Sequence, residues 1–386
     1  MARPVTVRVL NVVGARPNFM KMAPVIAALE AWNSSPAGRE LCFEQTLVHT
    51  GQHYDERLSA VFFDQLGLPE PDEWLGVGSG SQAQQTARLL ETLEPVVLDH
   101  RPDLVVVPGD VNSACAGALV AAKLNVPVAH LEAGLRSGDR SMPEEVNRIV
   151  IDHVAEVLFT TCADGDRNLL REGTATERIV RVGNTMIDSL TRLLAPAVAG
   201  AAQTRRELAL GDEPFVLVTL HRPSNVDDPA QLRLLLGVLN DLARDLHVVF
   251  PVHLRTRARM ASLGDDAGCA PGGRVIAAEP LGYLQFLGLM AQAAAVITDS
   301  GGIQEETTAL GVPCVTVRTT TERPITIAEG TNRLVDPGDP QAILSAALAA
   351  VTGGPTSPPP AIELWDGHAG KRVAEALAHW VEQVGR

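Results

Sequence analysis

Three acidic residues in the first half of the chain stand where acid–base chemistry could be carried out. Asp110 follows the apolar run 104–107, Glu132 follows a predicted strand at 126–131, and Glu144 opens a helical pattern. Each has an ordinary structural explanation, because Asp caps helices and acids stabilise the first helical turn. Convergence of all three at one sheet edge is harder to explain by capping. Clustered carboxylates shift each other's pKa values, which lets one act as an acid and another as a base.

A glycine turn near the start of the chain has the form of an anion site. Residues 14–18 read Gly-Ala-Arg-Pro-Asn after the first predicted strand, and a helix carrying Lys21 follows. Free backbone N–H groups and the helix dipole point at a ligand in such turns, and Arg16 and Lys21 would strengthen the site. The spacing matches neither the dinucleotide fingerprint nor the P-loop. A plain strand-to-helix turn with a surface arginine is an equally good interpretation.

A second glycine turn lies in the other half of the chain. Ser300, Gly301 and Gly302 stand between a predicted strand and a predicted helix. Their backbone N–H groups and hydroxyl could wrap a diphosphate. Glu306, further along the helix, could chelate two ribose hydroxyls. An ordinary capped helix is the alternative.

Two histidines and two arginines accompany this second turn. His221 and His253 each follow a predicted strand, which gives them more weight than a lone histidine would have. Arg318 and Arg323 stand next to a helix start, where guanidinium groups could balance phosphate charge. Surface salt bridges would explain the two arginines equally well.

The elements that must position these residues alternate between β-branched runs and longer helical patterns, which predicts parallel sheets. In the first half we predict strands at 5–13, 45–49, 103–108, 126–131, 156–160 and 179–182, and helices at 18–32, 81–100, 113–123, 144–154 and 164–172. After an Ala/Gly-rich break at 195–202 we predict strands at 214–220, 247–252, 274–278, 295–298, 313–317 and 333–335, and helices at 228–245, 282–293, 302–310 and 339–351. A Gly/Pro-rich linker at 352–360 precedes a last helix at 368–384.

This pattern predicts two doubly wound α/β domains. The first is residues 1–190 with the terminal segment 365–386 packed on it, and the second is residues 191–364. Ligands of such sheets bind beyond the carboxyl ends of the strands, so a cleft between the two domains is the expected site.

Composition excludes several classes of partner. The formal net charge of −14 repels nucleic acid and anionic membranes, so an anionic substrate needs a local basic cluster. The five cysteines form no C-x-x-C pair, which argues against a disulfide framework or a zinc site. No apolar run reaches membrane-spanning length, and the N-terminus has the pattern of a strand rather than of a signal peptide. We expect a cytoplasmic protein without a bound metal.

Nine motifs, in order across nearly the whole chain, resemble the UDP-N-acetylglucosamine 2-epimerase family. They are G-A-R-P-N-F-M-K-M-A-P at 14–24, G-Q-H-Y at 51–54, H-L-E-A-G-L-R-S-G at 130–138, M-P-E-E-V-N-R at 142–148, V-G-N-T-M-I-D at 182–188, H-R-P-S-N at 221–225, P-V-H-L at 251–254, T-D-S-G-G-I-Q-E-E at 298–306 and T-T-E-R-P at 320–324. Each motif is weak alone, and the ordered set is specific.

The resemblance implies a GT-B fold, with two Rossmann-like domains and a C-terminal helix that crosses back to the first. It implies reversible conversion of UDP-GlcNAc to UDP-ManNAc through elimination of UDP to a 2-acetamidoglucal, without a cofactor, in a homodimer. It implies catalytic roles for Asp110, Glu132, Glu144 and His221. It places the nucleotide diphosphate on Arg16, Ser300, Gly301, Gly302, Glu306 and Arg323, with Phe286 against uracil. We add Lys21 and Arg148 as substrate contacts.

The non-hydrolysing bacterial members also bind a second substrate molecule as an activator. Gln52, His53 and His253 match residues around that activator site. The chain departs from the family at residues 221–224, where His-Arg-Pro-Ser replaces the frequent His-Arg-Arg-Glu, and at residues 54–57, where the commoner basic and Met/Leu run is missing. The first departure leaves the histidine in place, and the second bears on activator binding more than on catalysis.

Three other functions compete with this interpretation. A hydrolysing 2-epimerase would use the same elimination and release free ManNAc and UDP. A GT-B glycosyltransferase would share the fold and the nucleotide site, but the three acids and the lack of a basic or apolar acceptor face argue against it. A catalytically inactive nucleotide-sugar sensor would be expected to have lost the acids, which are present.

Overall fold

A computed structural model of the protein describes residues 4–52, 63–263 and 274–385. The chain forms two compact units. The first unit is Met1–Ser189 together with Glu363–Arg386, and the second unit is Leu190–Ile362.

The first unit is built on a parallel sheet of seven strands in the order β3-β2-β1-β4-β5-β6-β7. The strands are β1 (Val5–Val13), β2 (Leu41–His49), β3 (Glu73–Trp74), β4 (Leu104–Pro108), β5 (Val128–Ala133), β6 (Val157–Thr160) and β7 (Ile179–Arg181). The helices are α1 (Arg16–Asn33), α2 (Gln82–His100), α3 (Asn112–Lys123), α4 (Pro143–Val154) and α5 (Ala163–Arg171), with single 3-10 turns at Ala37–Arg39 and Thr176–Arg178. Strand β4 is buried along its whole length, as its apolar sequence predicts for a strand covered on both faces.

A long helix, α6 (Thr185–Glu207), contains the boundary between the two units. The Ala/Gly-rich stretch 195–202 lies inside this helix, so the predicted break there is wrong. Alanine is the best helix former, whereas Pro196 and Gly200 disfavour a helix interior by about 3 and about 1 kcal/mol relative to alanine. The helix nevertheless continues through this stretch, where Ala197 and Ala201 are buried.

The second unit contains a parallel sheet of six strands in the order β10-β9-β8-β11-β12-β13. The strands are β8 (Phe215–Thr219), β9 (His247–Pro251), β10 (Val275–Ala278), β11 (Ala295–Thr298), β12 (Cys314–Val317) and β13 (Asn332–Val335). The helices are α7 (Pro223–Val226), α8 (Pro229–Leu242), α9 (Leu254–Ser262), α10 (Tyr283–Met290), α11 (Gly301–Leu310), α12 (Ile325–Ala328) and α13 (Pro340–Gly353).

The last helix, α14 (Ala369–Val384), packs on α1 in the first unit. Asp188 accepts hydrogen bonds from the backbone nitrogens of Ala369 at 3.0 Å and Gly370 at 2.7 Å. A Cβ at Gly370 would lie 2.5 Å from the carbonyl oxygen of Pro24, so this close contact requires glycine. The predicted return of the terminal helix to the first domain is confirmed.

Short and edge elements account for the other differences from the sequence predictions. Strand β2 begins at Leu41 rather than at residue 45, and the two-residue strand β3 and the short helices α7, α9 and α12 were not predicted. Elements of two to four residues, such as β3, α7 and α12, contain too few residues to establish a periodicity. Within the described residues, no helix combines the length and the apolar character needed to cross a bilayer.

Candidate active site

The turn that carries Asp110 passes close to a buried ion pair. Gly109, which follows β4, has a left-handed φ of 65°. A Cβ at this position would lie 2.5 Å from Nζ of Lys21 and 3.1 Å from Oε2 of Glu132. Both the backbone angle and the available space therefore require glycine. The carboxyl edge of the sheet brings the Asp110 turn, Lys21 and Glu132 together.

Glu132 stands near the end of β5 in an uncommon backbone conformation. Its φ is 69°, and the pairing of β5 with β6 shifts register between Leu131 and Ala133. Left-handed residues other than glycine cost about 1–3 kcal/mol and cluster at functional sites. The Glu132 carboxylate forms an ion pair with Lys21, and each side chain is only 6% exposed. The fold thus holds a residue with a strained backbone in an ion pair with a buried amine.

Asp110 is held in place by residues of α4. Nε and Nη2 of Arg148 each lie 2.9 Å from Oδ2 of Asp110. Nη1 of the same guanidinium contacts Glu145. Asn147 donates a hydrogen bond of 2.9 Å to the backbone carbonyl of Asp110. The Asp110 side chain is 21% exposed and that of Arg148 only 3%, so a buried cation orients a carboxylate that solvent can reach.

The three predicted acids are not set against one another. Asp110 faces Arg148, and Glu132 faces Lys21, so each carboxylate is balanced by a cation. Glu144 is exposed, and no side-chain hydrogen bond or ion pair joins it to another residue in the described ranges. The described residues therefore do not show the cluster of facing carboxylates that we expected.

The buried acid of α4 is Glu145, which the sequence patterns did not single out. Its Oε2 accepts hydrogen bonds from the backbone nitrogen of Ser137 at 2.9 Å and from Oγ of Ser137 at 3.0 Å. Its Oε1 accepts from the nitrogen of Gly138 at 2.8 Å. Successive helical residues point about 100° apart, so Glu145 faces this loop while Glu144 faces solvent. Glu145 anchors both the loop and Arg148.

The predicted anion site after β1 is largely closed by an asparagine. Oδ1 of Asn18 accepts hydrogen bonds from the backbone nitrogens of Gly14 at 3.1 Å and Ala15 at 3.2 Å. Nδ2 of Asn18 donates to the carbonyl of Pro108 at 2.9 Å. The expectation that these two N–H groups are free for a ligand is wrong, because the third residue of the helix satisfies them. Arg16, half-buried at the first position of α1, remains beside this turn.

Of the three residues matched to an activator site, the two within the described residues lie in different surroundings. Gln52 is buried, and its Oε1 accepts hydrogen bonds from the nitrogen of Ser113 at 3.0 Å and from Oγ of Ser113 at 2.6 Å. His53 lies outside the described residues. His253 is exposed in the second unit, and its ring centroid lies 6.3 Å from that of His221.

In the second unit, His221 is paired with a fully buried aspartate. Nδ1 of His221 lies 3.0 Å from Oδ1 of Asp299, and the His221 side chain is 42% exposed. Asp299 also accepts hydrogen bonds from the backbone nitrogen of Arg222 at 2.9 Å and from Nδ2 of Asn225 at 3.0 Å. Burial alone would raise the pKa of Asp299, but the His221 interaction and these hydrogen bonds outweigh it and lower the pKa. An ionised carboxylate therefore orients the His221 ring.

The turn Ser300-Gly301-Gly302 opens α11 without a side-chain cap. The three residues are half-buried, so the helix N-terminus is open to a small anion. A Cβ at Gly301 would lie 2.5 Å from Oε1 of Glu322 and 2.6 Å from Nη1 of Arg323. The turn thus packs directly on an internal ion pair, and a larger residue at Gly301 would have to displace Glu322 or Arg323.

Arg323 belongs to a buried ionic network. Its Nη1 contacts Glu322, and its Nε lies 3.0 Å from Oε1 of Glu305. Nη2 of Arg318 lies 2.8 Å from Oε2 of Glu322. Both arginines are 5% exposed, so the alternative interpretation as surface salt bridges is wrong. Two internal carboxylates already balance the positive charge of Arg323.

Glu306 is a buried acid on α11. It accepts a hydrogen bond of 2.8 Å from the hydroxyl of Tyr283, which begins α10. Burial raises the pKa of Glu306 to about 7, although the Tyr283 hydrogen bond works in the opposite direction. Phe286 is half-buried on the same short helix as Tyr283.

This raised pKa predicts that Glu306→Gln stabilises the protein at alkaline pH. The pKa is 4.5 without the fold and about 7 within it, so the neutral acid is favoured in the folded state. Its stabilising contribution is complete below pH 4.5 and is lost as the pH rises through 7. The variant is expected to gain an advantage that grows as the pH rises from 4.5 to about 7 and then levels off at about 3 kcal/mol, at about 1.4 kcal/mol per pKa unit.

Urea unfolding of both proteins at several pH values measures this advantage. The exposed Glu329→Gln is the matched control and should show no such pH dependence. An equal difference in the free energy of unfolding between the Glu306 variant and the parent at pH 5 and pH 8 would contradict a buried neutral acid.

Two relatives and one solved structure are similar to the chain over most of its length. A UDP-N-acetylglucosamine 2-epimerase of Methanocaldococcus jannaschii is 40% identical over 329 residues, which are 84% of this chain and 87% of that protein. A UDP-2,3-diacetamido-2,3-dideoxy-D-glucuronate 2-epimerase of Pseudomonas aeruginosa is 38% identical over 375 residues, 96% of this chain and 99% of that protein. The crystal structure of the M. jannaschii UDP-GlcNAc 2-epimerase in complex with UDP-GlcNAc and UDP matches with a TM-score of 0.86 at 36% identity, covering 97% of this chain and 100% of that one.

Two Rossmann-like units with a terminal helix that returns to the first are the components of the GT-B fold, as the sequence predicted. The family described as UDP-N-acetylglucosamine 2-epimerase matches residues 38–378. The chain belongs to the UDP-N-acetylglucosamine 2-epimerase family.

Proposed function

We propose that the protein interconverts UDP-GlcNAc and UDP-ManNAc by reversible inversion at C2, without a cofactor and without net hydrolysis. The main support is the placement of Asp110 and Glu132 at the ends of neighbouring strands, each beside a buried cation, in a member of this family. Two carboxylates fixed at one sheet edge suit proton removal and proton return.

The chemistry follows from the position of the C2 hydrogen. That hydrogen is not next to a carbonyl and is not acidic in the starting sugar. When the C1–O bond breaks, its electron pair leaves with the β-phosphate of UDP and positive charge develops at C1. A carboxylate then takes the C2 proton, and the C1=C2 double bond of 2-acetamidoglucal forms. Return of a proton to the opposite face of C2 and of UDP to C1 gives the epimer.

In the first unit, we assign the proton transfers to Asp110 and Glu132. Asp110 is partly exposed and oriented by Arg148, which suits a group that meets the sugar directly. Lys21 forms an ion pair with Glu132 and fixes the position of that carboxylate. Glu144 is exposed and stays a third candidate by resemblance alone.

We assign nucleotide binding to residues of the second unit. The open N-terminus of α11 at Ser300, Gly301 and Gly302 suits the diphosphate. His221, oriented by Asp299, would stabilise charge on the departing phosphate. Because Arg323 is paired with Glu322 and Glu305, we propose that it shapes the turn rather than neutralising phosphate on its own.

Glu306 and Phe286 complete the proposed nucleotide contacts, the first with ribose hydroxyls and the second with uracil. Arg16 beside the β1 turn is a further phosphate contact by resemblance. An activator site at Gln52, His53 and His253 is also proposed, on resemblance. Gln52 is buried and hydrogen-bonded to Ser113, so it also has a structural role.

A second sugar is a specific candidate substrate. The Pseudomonas aeruginosa relative named for UDP-2,3-diacetamido-2,3-dideoxy-D-glucuronate matches almost the full length of both chains. The C2 chemistry would be the same for this sugar, because its 2-acetamido group and its UDP leaving group occupy the same positions. The two substrates differ at C3 and C6, away from the bonds that break.

Proton NMR of the purified protein with each sugar nucleotide in heavy water tests the proposal. We expect UDP-ManNAc to appear from UDP-GlcNAc, with deuterium at C2 of both epimers. Faster exchange with the diacetamido-glucuronate would reassign the substrate. Accumulation of free ManNAc and UDP would identify a hydrolysing enzyme. The absence of C2 exchange with either sugar would refute the proposal and favour a transferase.

The assembly and location that the resemblance implies are also proposals. We propose a cytoplasmic homodimer. The four described cysteines, Cys42, Cys115, Cys162 and Cys314, are free thiols, in keeping with a reducing compartment. Sedimentation equilibrium at micromolar concentration would decide between monomer and dimer.

A further inference from the structure

A fully buried histidine on β5 is bonded at both ring nitrogens. Nδ1 of His130 lies 2.6 Å from Oδ1 of Asp152, and Nε2 lies 2.8 Å from the backbone carbonyl of Gly109. The His130 side chain has no exposed surface, and that of Asp152 is 1% exposed. A carbonyl oxygen can only accept a hydrogen bond, so Nε2 must carry a proton.

The second proton depends on whether Asp152 is ionised. Oδ2 of Asp152 lies 2.7 Å from Nη1 of Arg136 and accepts a hydrogen bond of 3.1 Å from the nitrogen of Gly134. A carboxylate facing a guanidinium is strongly favoured in its ionised form. An ionised Asp152 is an acceptor only, so Nδ1 must be a donor as well.

We propose that His130 is a buried imidazolium that positions Asp110. Its Nε2–H holds the carbonyl of Gly109, the residue before Asp110, and its Nδ1–H holds Asp152 on α4. The same helix carries Arg148, which holds the Asp110 carboxylate. His130 thus joins the backbone of the Asp110 turn to the helix that orients the Asp110 side chain.

The charged residues on each neighbouring element support the protonated form of His130. Asp152 on α4 is its direct counter-ion, and Arg136, in the segment after β5, lies on the far side of that carboxylate. Glu172, next to the end of α5, pairs with Arg136 and balances it. On the Gly109 side, Lys21 and Glu132 balance each other. The remaining pair is His130 and Asp152, which is neutral overall only when His130 is protonated.

The inference rests on the proposed function, because positioning matters only if Asp110 acts on substrate. The protonation state itself can be tested without activity. NMR spectra that record two-bond 15N–1H couplings in the rings of 15N-labelled histidines distinguish the imidazolium from both neutral tautomers. We expect His130 to show two protonated ring nitrogens at the pH of the activity assay. A neutral tautomer would overturn the proposal whatever the activity.

Asp152→Asn separates the charge from the hydrogen bonds. An asparagine can donate to Nδ1 of a neutral His130 and still accept from Arg136 and the nitrogen of Gly134. We expect His130 in this variant to lose the Nδ1 proton and keep the Nε2 proton, with a loss of kcat below about 10-fold. An unchanged His130 spectrum would contradict the pairing and would overturn the proposal.

His130→Gln removes one of the two hydrogen bonds and should misplace the Asp110 turn. Small displacements of a catalytic group cost about 100-fold in rate, so we expect that loss in kcat with KM for UDP-GlcNAc within about threefold. His153→Gln, on the exposed side of α4, is the matched control and should change neither. An equally large rise in KM, or full activity, would refute the positioning role. If His130→Gln does not fold, the spectra of the parent and of Asp152→Asn still decide whether His130 is an imidazolium.

Separate outcomes distinguish the failure of the two proposals. If no sugar nucleotide exchanges at C2 but His130 is doubly protonated, the proposed function fails and the buried imidazolium stands as a structural element. If exchange occurs and His130 is neutral, the function stands and the positioning proposal fails.

Discussion

Replacement of Asp110 by asparagine is expected to lower kcat for C2 epimerisation about 1000-fold, because general acid–base groups contribute about 10²–10⁴-fold and asparagine cannot transfer a proton. The fold should survive, since Arg148 keeps its contact with Glu145 and the Asp110 backbone keeps its bond to Asn147. KM should change much less than kcat. The exposed Asp99→Asn on α2 is the matched control and should behave as the parent.

A partial reaction shows whether Asp110 moves the proton. When 2-acetamidoglucal and UDP are supplied to the variant in heavy water, sugar nucleotide can form only if a proton is added at C2. We expect this addition to be slowed as strongly as the forward reaction. Formation of either epimer at the parent rate would exclude Asp110 as an essential acid or base and move the assignment to Glu132.

Strands buried on both faces could be predicted because an uninterrupted apolar run of strand length indicates burial on both faces. Strand β4 is apolar at nearly every position, and this run predicted its place within about one residue. The Ala/Gly stretch in α6 was ambiguous for the opposite reason. Alanine and glycine suit both a linker and a helix, and the choice depended on long-range packing, such as the contact of Gly288 with the backbone of Ala197.

Sequence patterns located the functional loops but not the partner of each side chain. The choice between Glu144 and Glu145 depended on loop 137–138, whose N–H groups only the buried neighbour reaches. The free N–H groups expected after β1 were satisfied by Asn18, a residue that is itself part of the motif at 14–24. A polar residue at the third position of a helix was the signal that could have revealed this.

Charge pairing over long sequence distances was the hardest feature to predict. Arg323 looked like a surface or phosphate-binding cation, yet it pairs with Glu322 beside it and with Glu305 on another helix. Asp299 lies in the motif at 298–306 but received no role, because its contact with His221 spans 78 positions. Only the parallel pairing of β8 with β11 brings the two strand ends together.

The pairing of Asp299 with His221 leads to the second large expected effect, in which Asp299→Asn lowers kcat about 1000-fold, within the range for acid–base and orienting groups. An asparagine that donates its Nδ2–H to Nδ1 of His221 would hold the ring in the tautomer whose Nε2 cannot donate to the proposed phosphate, whereas the carboxylate accepts from Nδ1 and leaves Nε2 free to take that role.

A double-mutant cycle separates this role from general damage, because Asp299 also accepts from the nitrogen of Arg222 and from Asn225. If Asp299 acts through His221, adding Asp299→Asn to His221→Asn should lower kcat less than about threefold further, since coupled residues are not additive. The exposed Asp245→Asn serves as the matched control in the same unit. Fully additive losses, with equal melting temperatures for both single variants, would mean that Asp299 influences the reaction by a route other than the histidine ring.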